Sequence, residues 1–356
     1  MNLSQLSSVL SDQPKYRYAQ ANKALWQDYI SSWDQASNFP KDLREKLSEL
    51  CPLEIKAEVF KTTGGRRSEK ALITLADGET VETVLIRQKG KTKAADVADA
   101  EGRNTVCISS QVGCPLRCAF CATGQAGFTR NLKAEEIVEQ VVFWARYLRA
   151  EAKGQEVAEK IDNIVFMGMG EPFLNYAEFI KAVKFLNNPE TLNIGARRMS
   201  VSTSGIVDGI KRLAGEKIQI NLAISLHATT DEKRKEIMPI ANKYSLQEIF
   251  KAVDSYIMKT GRRVMFEYLM MKDVNDSEEE AHQLVELMSR PLYMVNLIPY
   301  NSAGGEFQPS DRSRIDAFKQ LLDDNGVPAT VRLSFGSDIG AACGQLKGKK
   351  KPAGWA

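Results

Sequence analysis

The chain has 356 residues, 43% hydrophobic and 26% charged, with a formal net charge of +3. This is the make-up of an ordinary globular protein with room for one large domain and a small one, and the mild positive charge does not by itself prove a nucleic-acid partner. No apolar run reaches membrane-spanning length, residues 1–10 lack the regions of a signal peptide, and six cysteines without an export signal fit a reducing cytoplasm better than a disulfide framework.

Residues 1–50 read as short helices; after Pro40, which suits a helix start, Leu43, Leu47 and Leu50 recur at helical spacing. Residues 52–88 read as strands, with 71–75, the Asp77-Gly78 turn and 81–86 forming a hairpin. The stretch 89–104 carries Lys89, Lys91, Lys93, Asp96, Asp99 and Glu101 and reads as a charged loop. From 105 onward strand and helix alternate. Strands are expected at 105–110, 163–167, 198–203, 218–226, 263–270, 293–298 and 329–334, and helices at 134–148, 176–187, 245–259, 277–289 and 310–324. In the first of these helices Ile137, Val138, Val141, Val142, Ala145 and Leu148 make one apolar face, and Glu135, Glu136 and Glu139 favour its N-terminal half. Repeated βα units imply an α/β fold with a parallel sheet whose carboxyl edge carries the chemistry. The count suits an open, partial (β/α)6 barrel better than a closed eightfold one.

Cys114-Pro-Leu-Arg-Cys118-Ala-Phe-Cys121 follows the first of these strands. Three thiolates at this spacing can hold three irons of a cubane cluster and leave the fourth iron open to a ligand. A structural zinc site needs a fourth protein ligand, and Cys51, Cys107, Cys343, His227 and His282 supply no second closely spaced pair. An open iron suits reductive cleavage of S-adenosylmethionine (SAM).

Small residues gather at the later strand ends. Met167-Gly-Met-Gly-Glu-Pro172 reads as a tight turn or as backbone approaching a ligand through Gly168, Gly170 and Glu171. Ser202 and Ser225 could bond a carboxylate or ribose; His227 reads as a ligand contact or a bonded core histidine, and Asn301 as a ligand contact or a turn residue. Cys343 lies on a Gly-flanked loop beyond the last strand, either a buried thiol or one that must move or react, and Cys107 should sit near the cluster motif. Arg130, Arg197, Arg198, Arg262, Arg263, Lys347 and the tail lysines Lys349, Lys350 and Lys351 read as solvated surface unless RNA is the partner.

Taken together these motifs resemble the radical-SAM RNA adenosine methyltransferases, the family of RlmN and Cfr. The resemblance runs from Val81-Glu-Thr through Cys107-Ile-Ser-Ser-Gln-Val-Gly-Cys114, Phe120-Cys-Ala-Thr-Gly124, Arg130-Asn-Leu132, Met167-Gly-Met-Gly-Glu-Pro172, Ser202-Thr-Ser-Gly205, Ser225-Leu-His227 and Leu297-Ile-Pro299 to Ala342-Cys-Gly-Gln-Leu346. The wording is closer to the RlmN side; the Cfr side would carry a further cysteine where this chain has Val112.

The resemblance implies a [4Fe–4S] cluster on Cys114, Cys118 and Cys121, and SAM contacts from Gly170, Glu171, Ser202, Ser225, Leu226, His227 and Asn301. It makes Cys343 a methyl carrier, Cys107 its transient disulfide partner and Glu82 a proton acceptor. The implied reaction is C2 methylation of an adenosine in 23S rRNA and of the tRNA adenosine 3′ of the anticodon, with C8 methylation of the rRNA adenosine as the alternative. A low-potential electron donor of flavodoxin or ferredoxin type and a monomer acting away from membranes complete the expectation. The implied domains are an RNA-binding helical accessory domain at 1–50, a β extension with its charged loop at 51–104, the radical-SAM core at 105–336 and a C-terminal loop and tail at 337–356.

Overall fold

The computed structural model describes residues 1–63, 68–88, 102–152, 160–302, 305–332 and 334–348. Its strands are β1 (Lys56–Lys61), β2 (Ser68–Thr74), β3 (Thr80–Gln88), β4 (Arg103–Cys107), β5 (Gln111–Gly113), β6 (Phe128–Asn131), β7 (Asn163–Phe166), β8 (Met199–Thr203), β9 (Asn221–Ser225), β10 (Val264–Met270), β11 (Tyr293–Pro299) and β12 (Ala329–Val331). Its helices are α1 (Leu6–Leu10), α2 (Tyr16–Trp26), α3 (Lys41–Leu50), α4 (Ala122–Ala126), α5 (Ala134–Glu151), α6 (Tyr176–Asn187), α7 (Val207–Leu213), α8 (Asp231–Ile237), α9 (Leu246–Thr260), α10 (Glu278–Met288) and α11 (Arg312–Asp324).

All strands but β5 and β6 join one sheet in chain order, with β1 and β12 at opposite edges, so the sheet stays open. β1 to β4 pair antiparallel. From β4 through β7 to β12 every pairing is parallel. Six strand–helix units, closed by short β12, make the open (β/α)6 arrangement of an α/β fold. Val264-Met-Phe-Glu-Tyr-Leu-Met270 shows why β10 is central: such a nearly unbroken apolar run suits a strand covered on both faces. Helix starts follow local chemistry. Ser245 and Ser277 cap α9 and α10, each paired reciprocally with a glutamate three residues on.

The N-terminal helices share the apolar core of the barrel. Trp26 meets Phe185 of α6 edge-on at 4.9 Å, and the Trp33 indole donates to the Cys51 carbonyl at 2.8 Å. Among the described residues no helix is long and apolar enough to cross a membrane.

Several expected boundaries move. The strand expected at 105–110 ends at Cys107, because Ser109 leaves the sheet to exchange two hydrogen bonds with Gln140 of α5. The strand expected at 218–226 keeps only its centre as β9, and that expected at 329–334 stops at Val331, with Leu333 outside the described residues. α7 and α8 were not expected. α8 buries only Arg234 and Ile237, too few for an apolar stripe, and starts from a Thr230 cap. Of the charged loop, residues 89–101 lie outside the described residues, as do Lys349, Lys350 and Lys351, while Arg103 and Asn104 already belong to β4.

Candidate active site

A cavity opens at the carboxyl ends of the parallel strands. Cys107, Gly170, Glu171, Ser202, Ser225, His227 and Asn301 reach it from successive strand ends, and Cys114, Cys118, Cys121 and Cys343 complete its wall. Two expected residues are not on that wall. Leu226 is fully buried in the apolar core, its N–H donating to the Glu267 carbonyl at 3.0 Å and its carbonyl accepting from Arg234, while the Glu82 carboxylate lies under the C-terminal segment.

The cysteine triplet is held by backbone bonds. Cys114 N–H donates to the Gly127 carbonyl at 2.8 Å and Ala119 N–H to the Ile237 carbonyl at 2.9 Å. Arg117 turns the loop through a left-handed conformation, φ 55°. Burial pushes the Cys114 thiol up to about 12, with Cys121 and Glu171 pushing the same way. Burial pushes Cys118 well above its ordinary value, and Cys121 and Cys114 add to it. These thiols therefore crowd one wall and strongly disfavour bare thiolates, a cost that bound iron would offset. Among the described residues no three His, Cys, Asp or Glu side chains converge on a single ion. Three sulfur donors spread along one wall suit an iron–sulfur cluster with an iron left over for a small ligand.

The Gly168–Glu171 turn makes its close approach to the chain itself. A Cβ on Gly168 would lie 2.7 Å from the Ile108 carbonyl oxygen, and one on Gly170, at φ 98°, would lie 2.5 Å from Gln111 Cβ. The expected approach of backbone to ligand is thus first an approach to residues 108–111, which fixes the turn at the cavity edge. Glu171 uses its side chain internally. Oε1 accepts from Phe173 N–H at 3.0 Å, and Oε2 from Ser204 N–H and hydroxyl at 2.8 and 2.9 Å. Burial raises its pKa, and these bonds pull the other way. Its backbone N–H donates to Gln111 Oε1 at 2.8 Å, and its carbonyl already accepts from Leu174 N–H at 3.1 Å, so a ligand is left the second lone pair of that carbonyl.

On the neighbouring strands the Ser202 and Ser225 hydroxyls stand 3.3 Å apart. His227 sits at φ 59°, its Nδ1 accepting from Leu269 N–H at 3.1 Å and its ring 4.9 Å from Phe120. Burial, with Arg234 beside it, drives its pKa down to about 3. The ring is therefore neutral with its proton on Nε2, so it is both a bonded core histidine and part of the wall. Asn301 donates to the Pro299 carbonyl at 3.3 Å.

Cys107 and Cys343 form a second thiol group on the same cavity. Burial pushes Cys107 up to about 12, and Cys343 beside it adds to the shift. Arg332 faces both thiols; Cys343 above all, then Glu267 and Cys107, raise its pKa against the effect of burial. Glu82 lies one strand away, paired with Lys70 at 2.9 Å. Arg130 is occupied by Asp77 and Glu136, so it is no free surface cation.

Three charged residues of the interior, Arg234 and Glu267 buried and Arg332 half-buried, were missed from the sequence. Arg234 donates to the carbonyls of Ser204, Leu226 and Ser225 and so ties two strand ends together. Glu267 bonds Asn296 through Oε2 at 2.9 Å but leaves Oε1 buried without a partner. Arg332 is the third. A carboxylate inside the apolar run of β10 was the one available signal.

Residues 108–285 match the model of the radical SAM superfamily. The chain is 43% identical to a probable dual-specificity RNA methyltransferase RlmN of Syntrophomonas wolfei, covering 98% of this chain and 96% of that one. It is 42% identical to the dual-specificity RNA methyltransferase RlmN of Nautilia profundicola, covering 95% and 94%. Its fold superposes on the crystal structure of a radical SAM methyltransferase from Sphaerobacter thermophilus with a TM-score of 0.86 and 42% identity, covering 97% of each chain. A cavity with two thiol groups, on an open (β/α)6 sheet shared with such relatives, identifies the family: the chain belongs to the radical SAM superfamily and, within it, to the RlmN-type RNA methyltransferases.

Proposed function

We propose that the protein methylates C2 of an adenosine in 23S rRNA, at the peptidyl transferase centre, and of the tRNA adenosine 3′ of the anticodon. The observation that carries this reading is the pair of thiol groups on one cavity: Cys114, Cys118 and Cys121 on one side, Cys107 and Cys343 on the other. Adenine C2 is an electron-poor carbon that cannot attack a SAM methyl group, so a carrier residue divides the task. Cys114, Cys118 and Cys121 would hold a [4Fe–4S] cluster. Gly170, the Glu171 backbone, Ser202, Ser225 to His227 and Asn301 would hold SAM beside it, and such a cluster would supply the electron for reductive cleavage of SAM to a 5′-deoxyadenosyl radical.

In this reading Cys343 takes a methyl from a first SAM by displacement. Its S-methyl group then gives up a hydrogen atom to the 5′-deoxyadenosyl radical, and the resulting carbon bonds to C2, joining RNA to protein; the adduct radical would return one electron to the cluster. Glu82 accepts the C2 proton, and the Cys107 thiolate attacks the Cys343 sulfur, forming the disulfide and breaking the carbon–sulfur bond, while the freed carbon takes up a proton to become the methyl group of the released base. The target base must leave its stack to reach the cavity. Residues 1–50 serve as the RNA-binding accessory domain, and the protein works in the cytoplasm as a monomer served by a flavodoxin- or ferredoxin-type donor.

The test is nucleoside mass spectrometry of unmodified 23S rRNA and tRNA after anaerobic incubation with reconstituted enzyme, SAM and reductant. 2-Methyladenosine is the expected product. 8-Methyladenosine would overturn the position, and SAM cleavage without any methylated adenosine would overturn the substrate.

A further inference from the structure

Lys70 has no part in the chemistry above, yet it joins the two ends of the segment that carries Cys343. In the β2–β3 pairing Lys70 faces Val84 and Glu82 faces Leu72, so the two are diagonal neighbours on one face. Their side chains are 12% and 7% exposed, with Nζ 2.9 Å from Oε1. The same ammonium donates to the Gly340 carbonyl at 3.3 Å. The other Glu82 oxygen accepts the N–H groups of Lys347 at 2.8 Å and Gly348 at 3.3 Å.

Gly340 and Lys347 bracket Cys343. One buried ion pair thus grips the segment on both sides of the thiol. Its middle is seated elsewhere: Ala122 N–H donates to the Gly344 carbonyl at 2.8 Å, and Gln345 Nε2 to the Ser302 carbonyl at 2.9 Å. The amides of Lys347 and Gly348 also cover the Glu82 carboxylate, so it receives no proton from a base in the cavity until they leave.

We propose that Lys70 is a positioning residue of the methyl transfer. By bridging Glu82 and Gly340 it seats the Cys343 segment and keeps the carboxylate beneath it, so that one lifting motion frees the thiol and uncovers the base together. This rests on the roles proposed above for Cys343 and Glu82. Without the ammonium, Glu82 is a buried charge with no counter-charge; it turns out toward water, and its hold on the two amides weakens.

The test is amide hydrogen exchange, with iodoacetamide labelling of Cys343, in the full-length cluster-loaded enzyme without RNA. In Lys70→Met, exchange at Lys347 and Gly348 and labelling at Cys343 rise about tenfold, β10 amides keep their protection, and Lys70→Arg restores both readouts. Wild-type values in Lys70→Met would overturn the proposal. So would an equal rise throughout β10, which would make Lys70 a general stabiliser. Should Lys70→Met not fold, Glu82→Gln decides by the same two readouts. Neither readout needs RNA methylation, so this proposal and the methyl-carrier reading fail separately.

Discussion

Glu171 and Ser204 are joined twice, one carboxylate oxygen accepting both the backbone N–H and the hydroxyl of the serine. With Phe173 on the other oxygen, the side chain braces the end of β7 against the end of β8. Glu171→Ala leaves three donors unpaired and should lower the unfolding free energy by about 3 kcal/mol in urea titration, against about 1 kcal/mol for Ser204→Ala. SAM affinity should fall in the same order, because the Gly170 turn loses its brace.

The same turn gives a sharper contrast between glycines. Gly170→Ala combines a φ of 98° with a collision against Gln111 and should cost about 2–4 kcal/mol. Gly195 has open space around it, so Gly195→Ala should stay within about 0.5 kcal/mol. Thermal melts of the two proteins check this directly.

Glu267 gives a pH signature. Burial raises its pKa in the folded state, with Arg332 and Asn296 opposing. The folded protein therefore binds this proton more tightly than the unfolded chain, and its contribution is present at low pH and lost as pH rises through the folded value. Glu267→Gln carries no such loss. Its stability relative to wild type should rise from pH 4 upward, whereas a flat difference across urea melts at several pH values would reject the buried-charge account.

His227 should remain neutral throughout the working pH range, since its pKa lies near 3. Nitrogen chemical shifts of the ring should report the proton on Nε2 and no titration between pH 5 and 9.

The two thiols of the second group should differ in reactivity. Cys107 is buried and pushed up to about 12, so it stays a thiol near neutral pH, while Cys343 is partly exposed. Iodoacetamide should label Cys343 first in the cluster-loaded enzyme. Cys343→Ala should abolish RNA methylation, and Cys107→Ala should accumulate a protein–RNA adduct on denaturing gels; clean turnover by the latter would remove its resolving role.

The sequence made the local patterns readable. α6 begins and ends where its apolar spacing predicts, and the cysteine triplet, taken with the strand before it and the small-residue strand ends after it, points to a radical SAM fold. What was hidden depends on distant segments meeting. Nothing local marks Arg234, and only the packed strand ends turn it into a tie. That Glu171 also braces two strand ends was hidden, because its partner Ser204 lies on another segment. Nothing local marks Lys70, since its partner Gly340 is far away in the chain.

Neighbouring side chains of β3 face opposite ways. The Thr83 hydroxyl donates to the Cys107 carbonyl and accepts from the Trp144 indole, while the Glu82 carboxylate points to Lys70 and the amides of Lys347 and Gly348. A one-residue slip between β2 and β3 would exchange those faces, setting a carboxylate against the indole and a hydroxyl beneath the Lys347 and Gly348 amides. The exposed Asp77-Gly78 turn fixes that register, its Gly78 N–H donating to the Leu75 carbonyl at 3.0 Å. The number of residues in a solvent-facing bend therefore sets which functional group lies beneath the Cys343 segment, and insertions there should be as damaging as substitution of Glu82 itself.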